Sequence, residues 1–127
     1  MVLHPQQTYV HLAPDGAARA LSAEGFWQMP EADESGQGWL IGEYEFVEDW
    51  PTWEMHPDGD EFVYVLSGAV ELLLDRAGTI ERIAVDGAGA VVVPRGVWHT
   101  ARVRTPSRML HVTRGAGTRT RPVSPAW

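Results

Sequence analysis

The sequence predicts an all-β fold, an antiparallel barrel or sandwich of about ten short strands. Short apolar runs follow the two-residue period of strands, and turn residues interrupt them roughly every eight to twelve positions. No stretch with helical periodicity is long enough to compete. Glycine (13) and proline (9) are frequent among the 127 residues, as a chain of short strands and turns requires. We expect one domain, spanning residues 1–127.

Each element is expected from its own local pattern. Residues 39–47 alternate an apolar set with a mixed set, so one face of this strand should be buried. Ser67-Gly68 is expected to turn the chain and form a hairpin. Residues 22–30 suggest a brief helical turn, followed by a polar loop over residues 31–38, and residues 115–127 form an irregular tail. The expected strands are 7–12, 17–21, 39–47, 61–66, 69–74, 79–85, 91–93, 97–104 and 107–113.

Composition narrows the classes of partner. The formal net charge is −7, the isoelectric point is near 5.1, and no basic cluster stands out, which argues against nucleic acid and anionic membrane surfaces. The chain has no cysteine, so it forms no disulfide and no thiolate metal site, which is compatible with the cytoplasm we expect. The first residues have neither the charged nor the apolar segment of a signal peptide, and we expect no membrane span.

A short segment around residue 56 concentrates metal-binding side chains. Glu54 and His56 are two residues apart, so an extended strand directs both to one face. Pro57-Asp58-Gly59 is turn sequence that can return the chain and bring Glu61 close to His56. Imidazole nitrogen with carboxylate oxygen suits Fe, Mn, Zn or Ni. The alternative is an ion-paired, solvated turn.

Two motifs in this chain resemble those of the cupin superfamily. His56, four residues, Glu61, six residues and Gly68 match the first cupin motif from its second histidine onward. Pro94-x-Gly96-x2-His99 matches the core of the second motif. With the strand pattern around them, the resemblance covers roughly residues 37–114. It implies a small single-domain jelly-roll barrel, a double-stranded β-helix with a metal site inside.

Several positions depart from the cupin motifs. Glu54 stands where cupins usually have their first histidine, and Glu48 replaces the leading glycine. Gly87 and Gly89 straddle the position of the second motif's glycine, and Val103 replaces its final asparagine. A carboxylate at the first ligand position still allows coordination.

Strand parity directs four candidate ligands into the barrel: Glu54, His56, Glu61 and His99. We therefore expect a divalent metal ion, with Fe, Mn, Zn and Ni as candidates. Two arrangements stay open. Either Glu54 is a fourth ligand, or His56, Glu61 and His99 form a two-histidine, one-carboxylate set and Glu54 acts beside the metal as a catalytic base.

Other residues are candidates for lesser roles. The same parity places Trp53 and Trp98 on the outer face with Met55 and Thr100, where the tryptophans either stack on a substrate or fill the space between sheets or subunits. Because six tryptophans exceed what one small core needs, we expect a homodimer with the termini and Trp127 contributing. His111 is either a substrate hydrogen-bonder or a satisfied structural histidine. The remaining side chains are expected at the surface, in turns or in loops: His4, His11, Asp58, Asp60 and Arg95.

The best single prediction of function is a metal-dependent small-molecule enzyme. An oxygenase acting on an oxygen-chelating substrate such as a β-dicarbonyl or an enol is favoured, and isomerases and decarboxylases use similar sites. A non-catalytic module that binds or senses a small molecule or sugar is the main alternative. A barrel that only dimerises, with a vestigial pocket, is the third.

Overall fold

The structure is a computed structural model that describes residues 1–124. Nearly all of its regular structure is β, and all of the strand pairings are antiparallel, so the predicted fold class is confirmed. The elements, in chain order, are β1 (Thr8–Leu12), β2 (Ala18–Ser22), a 3-10 turn (Phe26–Gln28), α1 (Pro30–Glu34), β3 (Trp39–Phe46), β4 (Thr52–Met55), β5 (Glu61–Arg76), β6 (Thr79–Asp86), β7 (Gly89–Val93), β8 (Trp98–Thr113) and β9 (Arg119–Pro122).

Two long strands, β5 and β8, organise the sheet. β8 lies between β3 and β4 and also pairs along β5, whereas β5 pairs with β7 through its first half and with β6 through its second half. A strand that pairs with one neighbour along its first half and with another along its second half bends between them. This bend lets the strand take part in both sheets of the jelly-roll barrel. The antiparallel jelly-roll architecture expected from the resemblance is thus observed.

The predicted hairpin at Ser67-Gly68 is wrong, because β5 runs through it without turning back. Gly68 has φ +95° and lies at a β-bulge, where the register against β8 shifts. A positive-φ glycine suits a bulge as well as a turn, so the local sequence does not distinguish them. The bulge is closed by a hydrogen bond from Gly87 N to Gly68 O of 2.8 Å.

Two segments expected to be irregular contain regular structure. Pro30, taken as the end of a helical turn, is instead the first residue of α1, a position where its missing N–H costs nothing. The tail includes β9, which pairs with β4, while residues 125–127, Trp127 among them, lie outside the described part of the chain. Within residues 1–124, no helix is long and apolar enough to cross a membrane.

The main core fills the barrel on one side of the polar site. Inward-facing residues of β5 and β8 alternate with outward ones, so the period of two sorts apolar side chains into a single layer. Leu72 and Met109 are completely buried there, and each contributes roughly 1.5–3 kcal/mol by leaving water. A second cluster of Tyr9, Phe26 and Leu40 attaches β1, β3 and the 3-10 turn. The main core comprises Trp50, Val63, Val65, Val70, Leu72, Leu74, Val85, Val93, Ala101 and Met109.

Candidate metal centre

Three strands bring the four candidate ligands together. Glu54 lies in β4 directly opposite His99 of β8, His56 follows β4, and Glu61 begins β5. His56, Glu61 and His99 are buried, whereas the side chain of Glu54 keeps 36% of its surface exposed. The site therefore has a closed inner side and one ligand candidate at its open edge.

The donor atoms converge on one small volume. Glu61 Oε2 lies 3.4 Å from His56 Nε2, and Glu61 Oε1 lies 3.2 Å from His99 Nε2. Glu54 Oε1 lies 3.8 Å from His56 Nε2. One donor atom each from Glu54, His56 and His99 lie within 4.8 Å of one another. This spacing allows a single cation to contact several of these atoms at once.

Several donor atoms in this cluster lack hydrogen-bond partners among the described residues. They are His56 Nε2, His99 Nε2 and Glu61 Oε1. The contacts of 3.2–3.4 Å between Glu61 and these histidines do not have hydrogen-bond geometry. An unsatisfied buried polar atom lowers the free energy of unfolding by roughly 1–3 kcal/mol. Three such atoms in one place would therefore destabilise the fold considerably unless a ligand satisfied them. The side chains present therefore fit a metal ion, the group that the cupin resemblance implies.

Hydrogen bonds behind the site orient the two imidazoles. His99 Nδ1 lies 3.2 Å from Val97 O. A carbonyl only accepts, so Nδ1 carries the proton and Nε2 keeps its lone pair for the site. His56 Nδ1 lies 2.7 Å from Thr118 Oγ1, and the same tautomer there would present Nε2 to a metal.

Thr113 supports the central carboxylate in the same way. Its hydroxyl donates to Glu61 Oε2 at 2.5 Å. Sequence reasoning missed both Thr113 and Thr118. Thr118 carries no local signal, because its contact with His56 spans 62 residues. Thr113 shares the parity of His111 in β8, which is the only cue the sequence offered.

The charge of the Glu61 carboxylate and the protonation of the neighbouring imidazoles depend on each other. Burial alone would raise the pKa of the Glu61 carboxyl, but the imidazoles of His111, His56 and His99 outweigh it and hold this pKa well below its ordinary value. Burial would likewise lower the pKa of His99, but the adjacent Glu61 carboxylate raises it. Glu61 is thus an anion at neutral pH, the form a metal ligand requires.

An aromatic wall continues from the cluster into a cavity of about 980 Å³. The ring of His111 lies 5.4 Å from Tyr44, 6.3 Å from Phe46 and 5.7 Å from Trp50, measured between centroids. Glu54, His56, Glu61 and His111 all line this cavity, whereas His99 lies behind it. The volume is within the range of small-molecule sites.

His111 lies between Glu61 and the cavity, so both of its predicted roles, as a substrate hydrogen-bonder and as a structural histidine, stay predictions. It is 8% exposed, its Nδ1 lies 3.5 Å from Glu61 Oε2, and its Nε2 has no hydrogen-bond partner within residues 1–124. Tyr44 beside it keeps its proton, because burial raises the pKa of the phenol. Both side chains can donate or accept hydrogen bonds at the cavity wall.

The two outward tryptophans are packed within this chain. Arg121 of β9 lies over the rings of Trp53 and Trp98, at 5.3 and 4.5 Å from their centroids, and pairs with Asp75 at 2.9 Å. Trp53 is only 7% exposed. Neither tryptophan lines the cavity, so the prediction that they stack on a substrate is wrong. Trp53 is also too buried to contribute to an interface with a second chain.

Most of the minor candidates lie where the sequence placed them. Asp58 pairs with Arg114 at 3.0 Å, and Asp60 accepts a hydrogen bond from Arg95 N at 2.8 Å, so both are turn residues. His4 is exposed. His11 is a correction, because it is buried and its Nε2 lies 2.6 Å from Gln37 O. The loop that carries Gln37 supplies this contact from 26 residues away in the sequence, so the local pattern around His11 does not reveal it.

Comparison with known families decides the classification. The model of the cupin domain matches residues 44–113, more than half of the chain and all of the motif residues from Glu54 to His99. The chain belongs to the cupin family. The comparison with curated protein sequences gives no significant match.

Similar solved structures are cupins of low sequence identity. A cupin-2 domain protein from Shewanella frigidimarina is 19% identical, with a TM-score of 0.51 over 59% of this chain and 69% of that one. An oxalate oxidase is 18% identical, with a TM-score of 0.54 over 63% and 44%. Hydroquinone 1,2-dioxygenase from Sphingomonas, solved with 4-hydroxybenzoate bound, is 16% identical, with a TM-score of 0.50 over 61% and 60%. The present chain thus spans less than two thirds of both enzymes, and these likenesses show the cupin fold alone.

Proposed function

We propose that this cupin is a metal-dependent small-molecule enzyme whose ion is held by His56, Glu61 and His99, with Glu54 as a fourth ligand at the open edge. The convergence of three buried, unpaired donor atoms is the observation that carries the proposal. Nitrogen and carboxylate donors without sulfur favour Fe, Mn, Zn or Ni. Glu54 belongs to the set because one of its carboxylate oxygens lies within 4.8 Å of the donor atoms of His56 and His99.

The proposed reaction is oxygenation of a substrate that chelates through two oxygens, such as a β-dicarbonyl or an enol. When bound, a divalent ion of this kind supplies Lewis acidity and, if it is iron, redox chemistry with oxygen. In the alternative arrangement, in which Glu54 does not coordinate the ion, its carboxylate lines the cavity and can take a proton from an enolisable substrate held there. The rings of Trp50 and Phe46 exclude water beside it. Similarity to an oxalate oxidase and a hydroquinone 1,2-dioxygenase supports oxygen chemistry as the first class to test.

Oxygen uptake tests this proposal. Protein purified without a histidine tag is loaded separately with Fe(II), Mn(II), Zn(II) or Ni(II) and supplied with acetylacetone or hydroquinone in an oxygen electrode. We expect uptake that needs both iron or manganese and a chelating substrate, and that is lost in His99→Ala. Uptake equal in wild type and His99→Ala would refute catalysis at this site.

We also propose a homodimer, on a different surface from the one expected. Phe62 and Val92 are 37% and 57% exposed and face each other across β5 and β7. Val112 of β8 and Ile41 of β3 continue the same row across the sheet. A contiguous apolar row on an outer sheet face is typical of a protein interface. We call these four residues the outer apolar row.

A further inference from the structure

The cavity beside the metal site carries negative charge without positive charge. Four exposed acids line the cavity: Asp33, Glu45, Glu48 and Asp49. Asp49 accepts a hydrogen bond from Val103 N, and we call the other three the acidic rim. Glu54 and Glu61 add further carboxylates deeper in the cavity. No arginine is among the lining residues of the described chain, and the sequence contains no lysine.

Two arginines, one in β8 and one directly after it, are paired with other acids. Arg108 pairs with Glu43 at 2.8 Å, and Arg114 pairs with Asp58 at 3.0 Å. Asp33 and Glu48 of the acidic rim take part in none of the arginine ion pairs resolved within residues 1–124, whereas Glu45 lies opposite Arg108 across β3 and β8 and attracts that guanidinium. Arg108 therefore offsets part of the charge of Glu45, while the potential of Asp33 and Glu48 acts on whatever enters the cavity.

The inner wall of the cavity adds two preferences of its own. Tyr44, Phe46 and Trp50 present aromatic rings, which pack on planar groups and attract cations to their faces. His111 lines the same cavity, and its buried Nε2 has no hydrogen-bond partner among residues 1–124. A ligand with a polar atom near the ring would satisfy it.

We propose that the cavity takes a planar, aromatic ligand that carries a positively charged amine, and that it rejects anionic analogues. The inference that this ligand carries two metal-binding oxygens rests on the proposed function. The inference about its charge rests on the acidic rim and the aromatic wall alone. The metal-binding end lies beside Glu54 and His56, and the ammonium group lies toward the rim. An ion bound beside Glu54 and Glu61 would offset their charges, so the selection acts at the rim, where an anionic group would meet carboxylates with no arginine among the lining residues to pair with.

Three catechols whose short side chains carry a positive charge, no charge or a negative charge test the selection. Zn(II)-loaded protein is titrated calorimetrically with 3,4-dihydroxyphenethylamine, 4-ethylcatechol and 3,4-dihydroxyphenylacetate, since zinc does not oxidise them. We expect the amine to bind at least about tenfold more tightly than the acid, with the neutral catechol between, because several unit charges act together at short range. Equal affinities, or an acid that binds best, would overturn the proposal.

A matched pair of variants assigns the effect to the rim. Asp33→Asn/Glu45→Gln/Glu48→Gln should reduce the amine-to-acid ratio several-fold. A control with the same change in net charge, Asp15→Asn/Glu24→Gln/Asp86→Asn, alters exposed acids outside the cavity and should leave the ratio unchanged. If the two variants change the amine-to-acid ratio equally, the preference arises from the net charge of the protein and the rim has no special role.

A metal-free arm separates this proposal from the proposed function. Metal-free protein is tested by NMR with phenethylamine and phenylacetate, which do not chelate. If the protein binds no zinc but still prefers phenethylamine, the metal site fails and the charge selection holds. If zinc binds but the cationic compound binds no more tightly than the anionic one, both among the catechols and between phenethylamine and phenylacetate, the selection fails and the metal site stands.

Discussion

The hydrogen bond between Thr118 and His56 gives the sharpest prediction about metal affinity. Thr118 precedes β9, and its Oγ1 lies 2.7 Å from His56 Nδ1. To bind a metal through Nε2, His56 must carry its proton on Nδ1, where Thr118 accepts it. Thr118→Val removes the acceptor while keeping the branched shape, so the imidazole loses both its tautomer preference and its orientation.

The size of the effect follows from exposure. Removing the partner of a metal-bound histidine typically lowers metal affinity by about 10–100-fold. Thr118 is exposed, so water can replace part of the lost hydrogen bond, and this places the expected loss near the lower end. We expect the zinc dissociation constant to rise about tenfold, equivalent to ~1.4 kcal/mol.

A chromophoric chelator in competition with the protein measures this change. Thr118→Ser, which keeps the hydroxyl, should bind zinc within about threefold of wild type, and thermal midpoints of the metal-free proteins check that both variants fold. If Thr118→Val binds zinc like wild type, or if Thr118→Ser is impaired equally, then the hydroxyl does not position His56 and the reasoning fails.

Three further predictions test the site, the strand and the assembly. Glu54→Gln should lower zinc affinity along with any turnover if Glu54 is a ligand; retained metal with turnover reduced ~10²–10⁴-fold would make it a base instead. Gly68→Ala should destabilise the protein by at least ~2 kcal/mol more than Gly78→Ala in chemical unfolding, because both glycines have φ above +90° but only a Cβ at Gly68 would clash with Ser107 Oγ. Equal losses would exclude a steric role for the bulge. Phe62→Asp/Val92→Asp should convert a dimer to a 14.0 kDa monomer by light scattering while Val2→Asp does not, and a wild-type monomer would refute the outer apolar row as an interface.

Sequence pattern predicted the parts of the fold and site that depend on strand periodicity. Glu54 and His56 share a face because they are two residues apart in extended backbone, and His99 lies opposite Glu54 in the neighbouring strand. The spacing from His56 to Glu61 predicts a return of the chain, and the structure brings these side chains within 3.4 Å. Such relations are local, so the sequence contains them.

The errors arose where long-range contacts decide the outcome. Gly68 fits a turn and a bulge equally well, and only the pairing of β5 with both β6 and β7 selects the bulge. Trp53 lies on the outer face as parity requires, yet Arg121 from the C-terminal strand covers it. The contact of Thr118 with His56 depends on the same strand and could not be predicted from residues near either one.

Metal titration of the metal-free protein, purified without a histidine tag, is the decisive test of the metal centre. We expect one zinc ion per chain, with affinity reduced at least about 100-fold in His56→Ala, Glu61→Ala and His99→Ala but unchanged in His4→Ala, an exposed histidine far from the cluster in sequence. Retained folding is checked by the thermal midpoint of each metal-free variant. Wild-type affinity in His99→Ala, or no zinc binding by the wild type, would contradict the metal centre on which the proposed function rests.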